Sequence, residues 1–191
     1  MSLIHCRIVA ALCVCALSAC VSAPAQKPDA HTDHTDMAAP AATLAQWAKG
    51  AQRLDGLGTY SRKVTTASPA AQAWFDQGLN LIYGFNHDEA VRAFAKAVEL
   101  DPACAMCYWG AAEALGPNYN MPAMEQRWQV LWNAVESAQQ HAAHGTAVEQ
   151  ALIAALGKRY AGPAPVPADK MQPFNDAYAS AMRDVAKQYP A

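Results

Sequence analysis

With 191 residues, 14 basic and 16 acidic side chains and a net charge of −2, the chain has room for one ordinary domain. It lacks the clear positive excess of proteins that bind phosphate backbones, which excludes nucleic acid as a partner. Charged residues at 16% and apolar residues at 53% exclude a wholly disordered chain, and 44 alanines favour closely packed helices over sheets.

Residues Met1–Ala19 read as an export signal. Arg7 lies in a short n-region, and the apolar run from Ile8 to Leu17 is too short to remain as a membrane span. The run ends in Leu17-Ser18-Ala19-Cys20, which looks like a bacterial lipobox and makes Cys20 the lipidated residue of a mature lipoprotein. Ordinary cleavage near Ala23 or Ala25, leaving a soluble secreted protein, is the competing reading. Val21 follows Cys20 where an inner-membrane retention signal would place Asp, so an outer-membrane location facing the periplasm, or the cell surface, is expected. Two or three acyl chains anchor stably where one binds marginally. Residues 20–40 carry Pro24, Pro28 and Pro40 with no hydrophobic period, the composition of a flexible tether. Within it, the tandem His31-Thr32-Asp33-His34-Thr35-Asp36 reads as solvated linker, with weak divalent-metal binding as the alternative.

Helical periodicity begins after Pro40. Leu44, Trp47, Ala48, Ala51 and Leu54 mark one face of a first helix, closed by Gly56 and Gly58, and Thr59–Thr66 reads as an extended or irregular connector; residues 41–67 form this N-terminal part. Ser68-Pro69 supplies an N-cap followed by proline at the first helical position, opening a helical domain over residues 68–191. From Ala71 to Cys104 a 34-residue window places Trp74 at position 4, Gly78 at 8, Ala90 at 20, Phe94 at 24, Ala97 at 27 and Pro102 at 32, the spacing of a tetratricopeptide repeat (TPR). In that pattern Gly78 and Ala90 are small where two antiparallel helices touch, Trp74 and Phe94 are large where the pair meets its neighbour, and Asp101-Pro102 starts the next helix. Less regular pairs follow: Ala103–Leu115 with about Pro122–His141, then Thr146–Tyr160 with Ala168–Tyr189. The expected fold is all-α, a TPR-like right-handed α-solenoid of about seven helices.

Three blocks are more specific than a generic repeat: Phe85-Asn86-His87, Cys104-Ala105-Met106-Cys107-Tyr108-Trp109-Gly110, and Gly116-Pro117-Asn118-Tyr119-Asn120. With their flanks they make residues 57–188 similar to a family of exported bacterial TPR proteins. The resemblance implies fold and export but no chemistry. Members are usually longer, so the chain resembles an N-terminal portion of that architecture.

Candidate chemistry centres on Cys104 and Cys107. Their position in the first turn of a helix lowers a thiol pKa, as in redox CxxC motifs. Tyr108 stands where covalent haem attachment would need His. The pair reads as packing residues or a structural disulfide, as a metal site with His87 for copper or zinc (Met106 or Met121 adding a thioether for copper), or as a redox pair. Asn118 and Asn120 satisfy backbone groups in a turn, or form a ligand rim beside the CxxC helix. His141 and His144 read as surface residues at a helix end, and no hydrolase triad or phosphate-cradling loop stands out. The leading expectation is therefore not an enzyme but a lipid-anchored scaffold. It would hold another envelope protein or peptide on a concave helical face, touch the membrane through its anchor alone, and need no cofactor. A copper- or zinc-binding or thiol-redox protein is the alternative.

Overall fold

The computed structural model describes residues 41–190; the expected export signal, Cys20 and the expected tether with its His31–Asp36 repeat lie outside the described residues. These contain seven α-helices and three short 3-10 turns, with no strand. Helix α1 spans Leu44–Ala48, α2 Pro69–Tyr83, α3 His87–Leu100, α4 Ala105–Leu115, α5 Trp128–His141, α6 Ala147–Gly157 and α7 Gln172–Gln188. Each helix from α2 onward packs against its successor, α1 packs on α3, and the alternate helices α2, α4 and α6 touch in turn.

Several helix starts follow the sequence signals. Ser68 Oγ accepts from the Ala71 N–H at 3.2 Å, with Pro69 at the first helical position. Thr146 and Glu149 form a reciprocal capping box at the head of α6, which satisfies two donors that the helix leaves unpaired.

Several boundaries differ from the expected ones. Helix α1 stops at Ala48 instead of running to Leu54, and Gly50 sits where an added Cβ would lie 3.0 Å from Arg92 Nε. Asp101 does not cap α4; its carboxylate accepts from the Thr66 hydroxyl and from the N–H groups of Ala67 and Ala103, and α4 begins at Ala105 with Cys104 as N-cap. Asn86 precedes α3 but makes no side-chain cap bond. The segment from Pro122 starts irregularly, passes through a 3-10 turn at Glu125–Arg127 and becomes α-helical at Trp128.

The turn from α2 to α3 has an unusual residue at its centre. Asn86 N–H donates to Leu81 O at 2.9 Å and Phe85 N–H to Ile82 O at 3.0 Å, the paired bonds of a Schellman helix ending. The left-handed position of that motif normally takes glycine. Here Phe85 holds it with φ 59°, while Gly84 sits one residue earlier at φ −81°.

The core is densest around Phe94. Its ring meets Phe75 edge-on at 5.4 Å between centroids, and both side chains are fully buried. A Cβ on Gly78 would lie 2.8 Å from that ring, and one on Gly110 would be inside van der Waals contact. Two glycines from α2 and α4 thus form the slot that admits one aromatic from α3. The expectation for Gly78 holds. Trp74 instead lies under the Arg53 guanidinium, 4.7 Å from its ring centre. Helix α7 stands apart: none of its residues is buried, and Phe174, Tyr178, Met182 and Val185 lie half-covered against the core.

Candidate functional site

The polar residues of α2 hold the connector that precedes it. Gln72, Asp76 and Asn80 recur every fourth residue and so share one helix face. Asn80 Nδ2 donates to Tyr60 O at 2.8 Å. The Asp76 carboxylate accepts from Ser61 Oγ at 2.8 Å and from Arg62 N–H at 3.1 Å. Gln72 spans the next peptide: Nε2 donates to Arg62 O at 2.9 Å while Oε1 accepts from Val64 N–H at 3.0 Å. The connector therefore runs antiparallel to α2, read largely through its main chain.

Beyond Val64, which is buried, the connector reaches the head of α6. Glu149 Oε1 accepts from Thr65 N–H at 2.7 Å and Oε2 from Thr65 Oγ1 at 2.6 Å. Burial pushes the Glu149 carboxyl up, but the hydrogen bonds from Thr65 and Thr146 outweigh it and hold it below the usual carboxylate range. An open groove of about 820 Å³ adjoins this stretch, lined by residues 63–67 together with Asp101, Ala103, His144, Thr146, Val148 and Glu149.

A second groove, of about 480 Å³, brings together two of the three sequence blocks: Phe85, Asn86, His87 and Asp88 on one side, Asn118, Asn120, Met121, Met124 and Arg127 on the other. Phe85 is 63% exposed and Met121 43%. Arg127 grips Asp88 through both guanidinium nitrogens, at 2.6 and 3.0 Å, and those bonds hold the Asp88 carboxyl below its usual range. Asn118 Oδ1 accepts from Asn120 N–H at 2.9 Å, so Asn118 closes its own turn while also lining the groove.

Cys104 and Cys107 are bonded to each other in a disulfide, and both are fully buried. Cys104 Sγ also accepts from Cys107 N–H at 3.2 Å, capping α4. Neither cysteine lines the groove that contains His87. Among the described residues, no three His, Cys, Asp or Glu side chains gather as a metal-ligand set. His141 stacks on Tyr108, with centroids 5.7 Å apart and planes within 9°.

A half-buried polar cluster ties α7 to the rest of the molecule. Tyr178 O–H donates to Glu113 Oε1, Arg159 Nη1 lies 3.6 Å from Glu113 Oε2, and Arg159 Nε donates to Asn175 Oδ1 at 3.2 Å. Burial raises the Glu113 carboxyl above its usual range, against the lowering effect of Tyr178 and Arg159. Burial, then the neighbouring Glu113, also raises the Tyr160 and Tyr178 hydroxyls.

Sequence reasoning singled out none of the clamp residues Gln72, Asp76, Asn80 and Glu149. For the first three the signal was available as a polar row at fourfold spacing on a helix that is otherwise apolar around Phe75, Leu79 and Leu81. The cluster of Glu113, Arg159 and Tyr178 left no comparable pattern, because its members lie on segments far apart in sequence.

No family model, curated protein or solved structure significantly matches the chain.

Proposed function

We propose that this chain is a lipid-anchored protein of the cell envelope whose TPR-like, right-handed helical array acts as a scaffold, holding an extended segment of another envelope protein. One observation carries the reading: the half-buried row Gln72, Asp76 and Asn80 holds the carbonyls and N–H groups of an extended stretch of chain. Side-chain amides and carboxylates spaced along a helix suit any peptide in that conformation, because they address main-chain groups that every peptide has. The stacked order of α2, α4 and α6 supports a repeat-like array with one continuous first-helix face.

The CxxC pair fits a structural role in this reading. Thiol exchange requires a nucleophile to reach sulfur, and both sulfurs are enclosed. The lipobox Leu17-Ser18-Ala19-Cys20 supports the anchor, and the tether gives the domain reach from the membrane.

The test is made on the whole chain in a Gram-negative envelope. Cys20→Ala is expected to move the protein from the membrane to the soluble fraction. A photo-crosslinker at Lys63, beside the larger groove, is expected to yield one defined partner, and the same probe at Glu136 on α5 none. A Cys20→Ala protein that stays in the membrane sinks the anchor, and equal crosslinking from both positions sinks the binding face.

A further inference from the structure

The segment held on α2 is itself an extended peptide, and its manner of binding describes what else would fit there. Tyr60, Arg62 and Val64 contribute main-chain atoms to Asn80, Asp76 and Gln72. Three kinds of side chain add to this. Val64 is 4% exposed and enters the core, Ser61 and Thr65 donate hydroxyls to Asp76 and Glu149, and Thr66 donates to Asp101. The other side chains of the stretch, including Arg62 and Lys63, are exposed. The receiving surface carries three carboxylates, Asp76, Asp101 and Glu149, each accepting from hydroxyl or N–H donors of the stretch. The larger groove lies open alongside residues 63–67. Upstream the stretch is joined through Gly56 and Gly58, both in the left-handed region at φ 77° and 91°, so it leaves the α2 face at a point where the backbone turns freely.

We infer that residues 60–66 are a resident occupant of the partner site. The partner segment is then an extended peptide with a β-branched apolar residue followed directly by Thr or Ser, and it displaces the resident stretch to bind. This rests on the scaffold reading and specifies its ligand. The β-branched residue takes the buried position of Val64, the hydroxyl that follows satisfies Glu149, and main-chain groups upstream meet Asp76 and Asn80. A covalently joined occupant competes at an effective concentration in the millimolar range, so the intact chain admits a free peptide poorly and admits it well once the resident stretch is loosened.

The probe is a fluorescein-labelled peptide with the sequence of residues 59–67, titrated against the whole chain by anisotropy. Thr65→Ala removes the hydroxyl bond to Glu149 without touching the core, and Val64→Asp expels the buried side chain; circular dichroism reports whether each variant is folded. At least tenfold tighter peptide binding to Thr65→Ala than to the unaltered chain is expected, with the gain abolished by adding Gln72→Ala. Hydrogen exchange in residues 58–67 is expected to rise when the peptide binds. A folded Thr65→Ala protein that binds the peptide no better, or a gain that survives Gln72→Ala, overturns the proposal. Should Val64→Asp dimerise in light scattering, the occupant is a second copy of the chain and the partner-peptide claim falls. A Lys63 crosslink to an envelope partner that persists while the peptide fails leaves the scaffold reading standing and removes this inference alone.

Discussion

The hairpin of α2 and α3 and the hairpin of α6 and α7 are joined to the molecule by different physics. The first is locked by shape, with Phe94 between Gly78 and Gly110 and fully removed from water. In the second, α6 buries Leu152, Ile153, Ala155 and Leu156, but α7 buries no residue completely and is held by a half-covered apolar row together with the bonds of Glu113, Arg159 and Tyr178. Interdigitated apolar packing tolerates little change of volume. A buried carboxylate responds to pH. Disruption at the first hairpin should therefore unfold the domain, and disruption at the second should release one helix.

The largest expected effect comes from Phe94→Ala, which leaves a cavity where two glycines had made room; a loss of about 3–5 kcal/mol is expected, read as one cooperative shift in urea denaturation. If the array frayed from α7 while the first hairpin stayed intact, the contrast would be wrong. Opening the disulfide ranks next. The bond closes a very short ring, so the chain-entropy contribution is about 2 kcal/mol, and Cys104→Ser with Cys107→Ser should lower the urea midpoint of the whole domain. Tyr178→Phe follows, at about 1 kcal/mol, with faster hydrogen exchange confined to α7.

The smallest effects separate the two regions by sign. Glu149 has a lowered carboxyl pKa, so the stability it lends the connector is present above its ordinary value of 4.5 and is lost as pH falls through the lowered one. Glu113 has a raised pKa, so its folded form prefers the proton, and the stability of the α7 attachment declines as pH rises above 4.5 toward the raised value. Hydrogen exchange followed across that range should show residues 58–67 loosening in acid while α7 tightens. Glu113→Gln should flatten the α7 response and leave the connector's unchanged. Parallel responses in both regions would dissolve the distinction.

Much of the helical framework was legible locally. Ser68-Pro69 and the Thr146–Glu149 box announce helices through interactions within four residues, and periodic apolar positions place α2, α3, α6 and α7 near their observed spans. The misplacements have long-range causes. Asp101 has the local look of a cap, yet its carboxylate is engaged by Thr66, 35 residues earlier. Helix α1 ends early where Gly50 lies beneath Arg92 of α3. The candidate site shows the same division. His87, Asn118 and Asn120 stood out as motif residues and share one groove, while the clamp stayed hidden because Gln72, Asp76 and Asn80 look like an ordinary solvated face until the connector is laid across them.

Phe85 bears on how stability and display are traded. Holding a side chain in the left-handed region costs on the order of 1–2 kcal/mol relative to the ordinary helical one, and glycine at that position would relieve most of it. The chain has its glycine one residue too early and instead leaves an aromatic ring 63% exposed at the mouth of a groove. A designer seeking a hardier domain would put glycine at position 85. The same edit would strip the α2–α3 turn of an exposed aromatic ring that lines the groove, so ruggedness here is limited by what the surface presents.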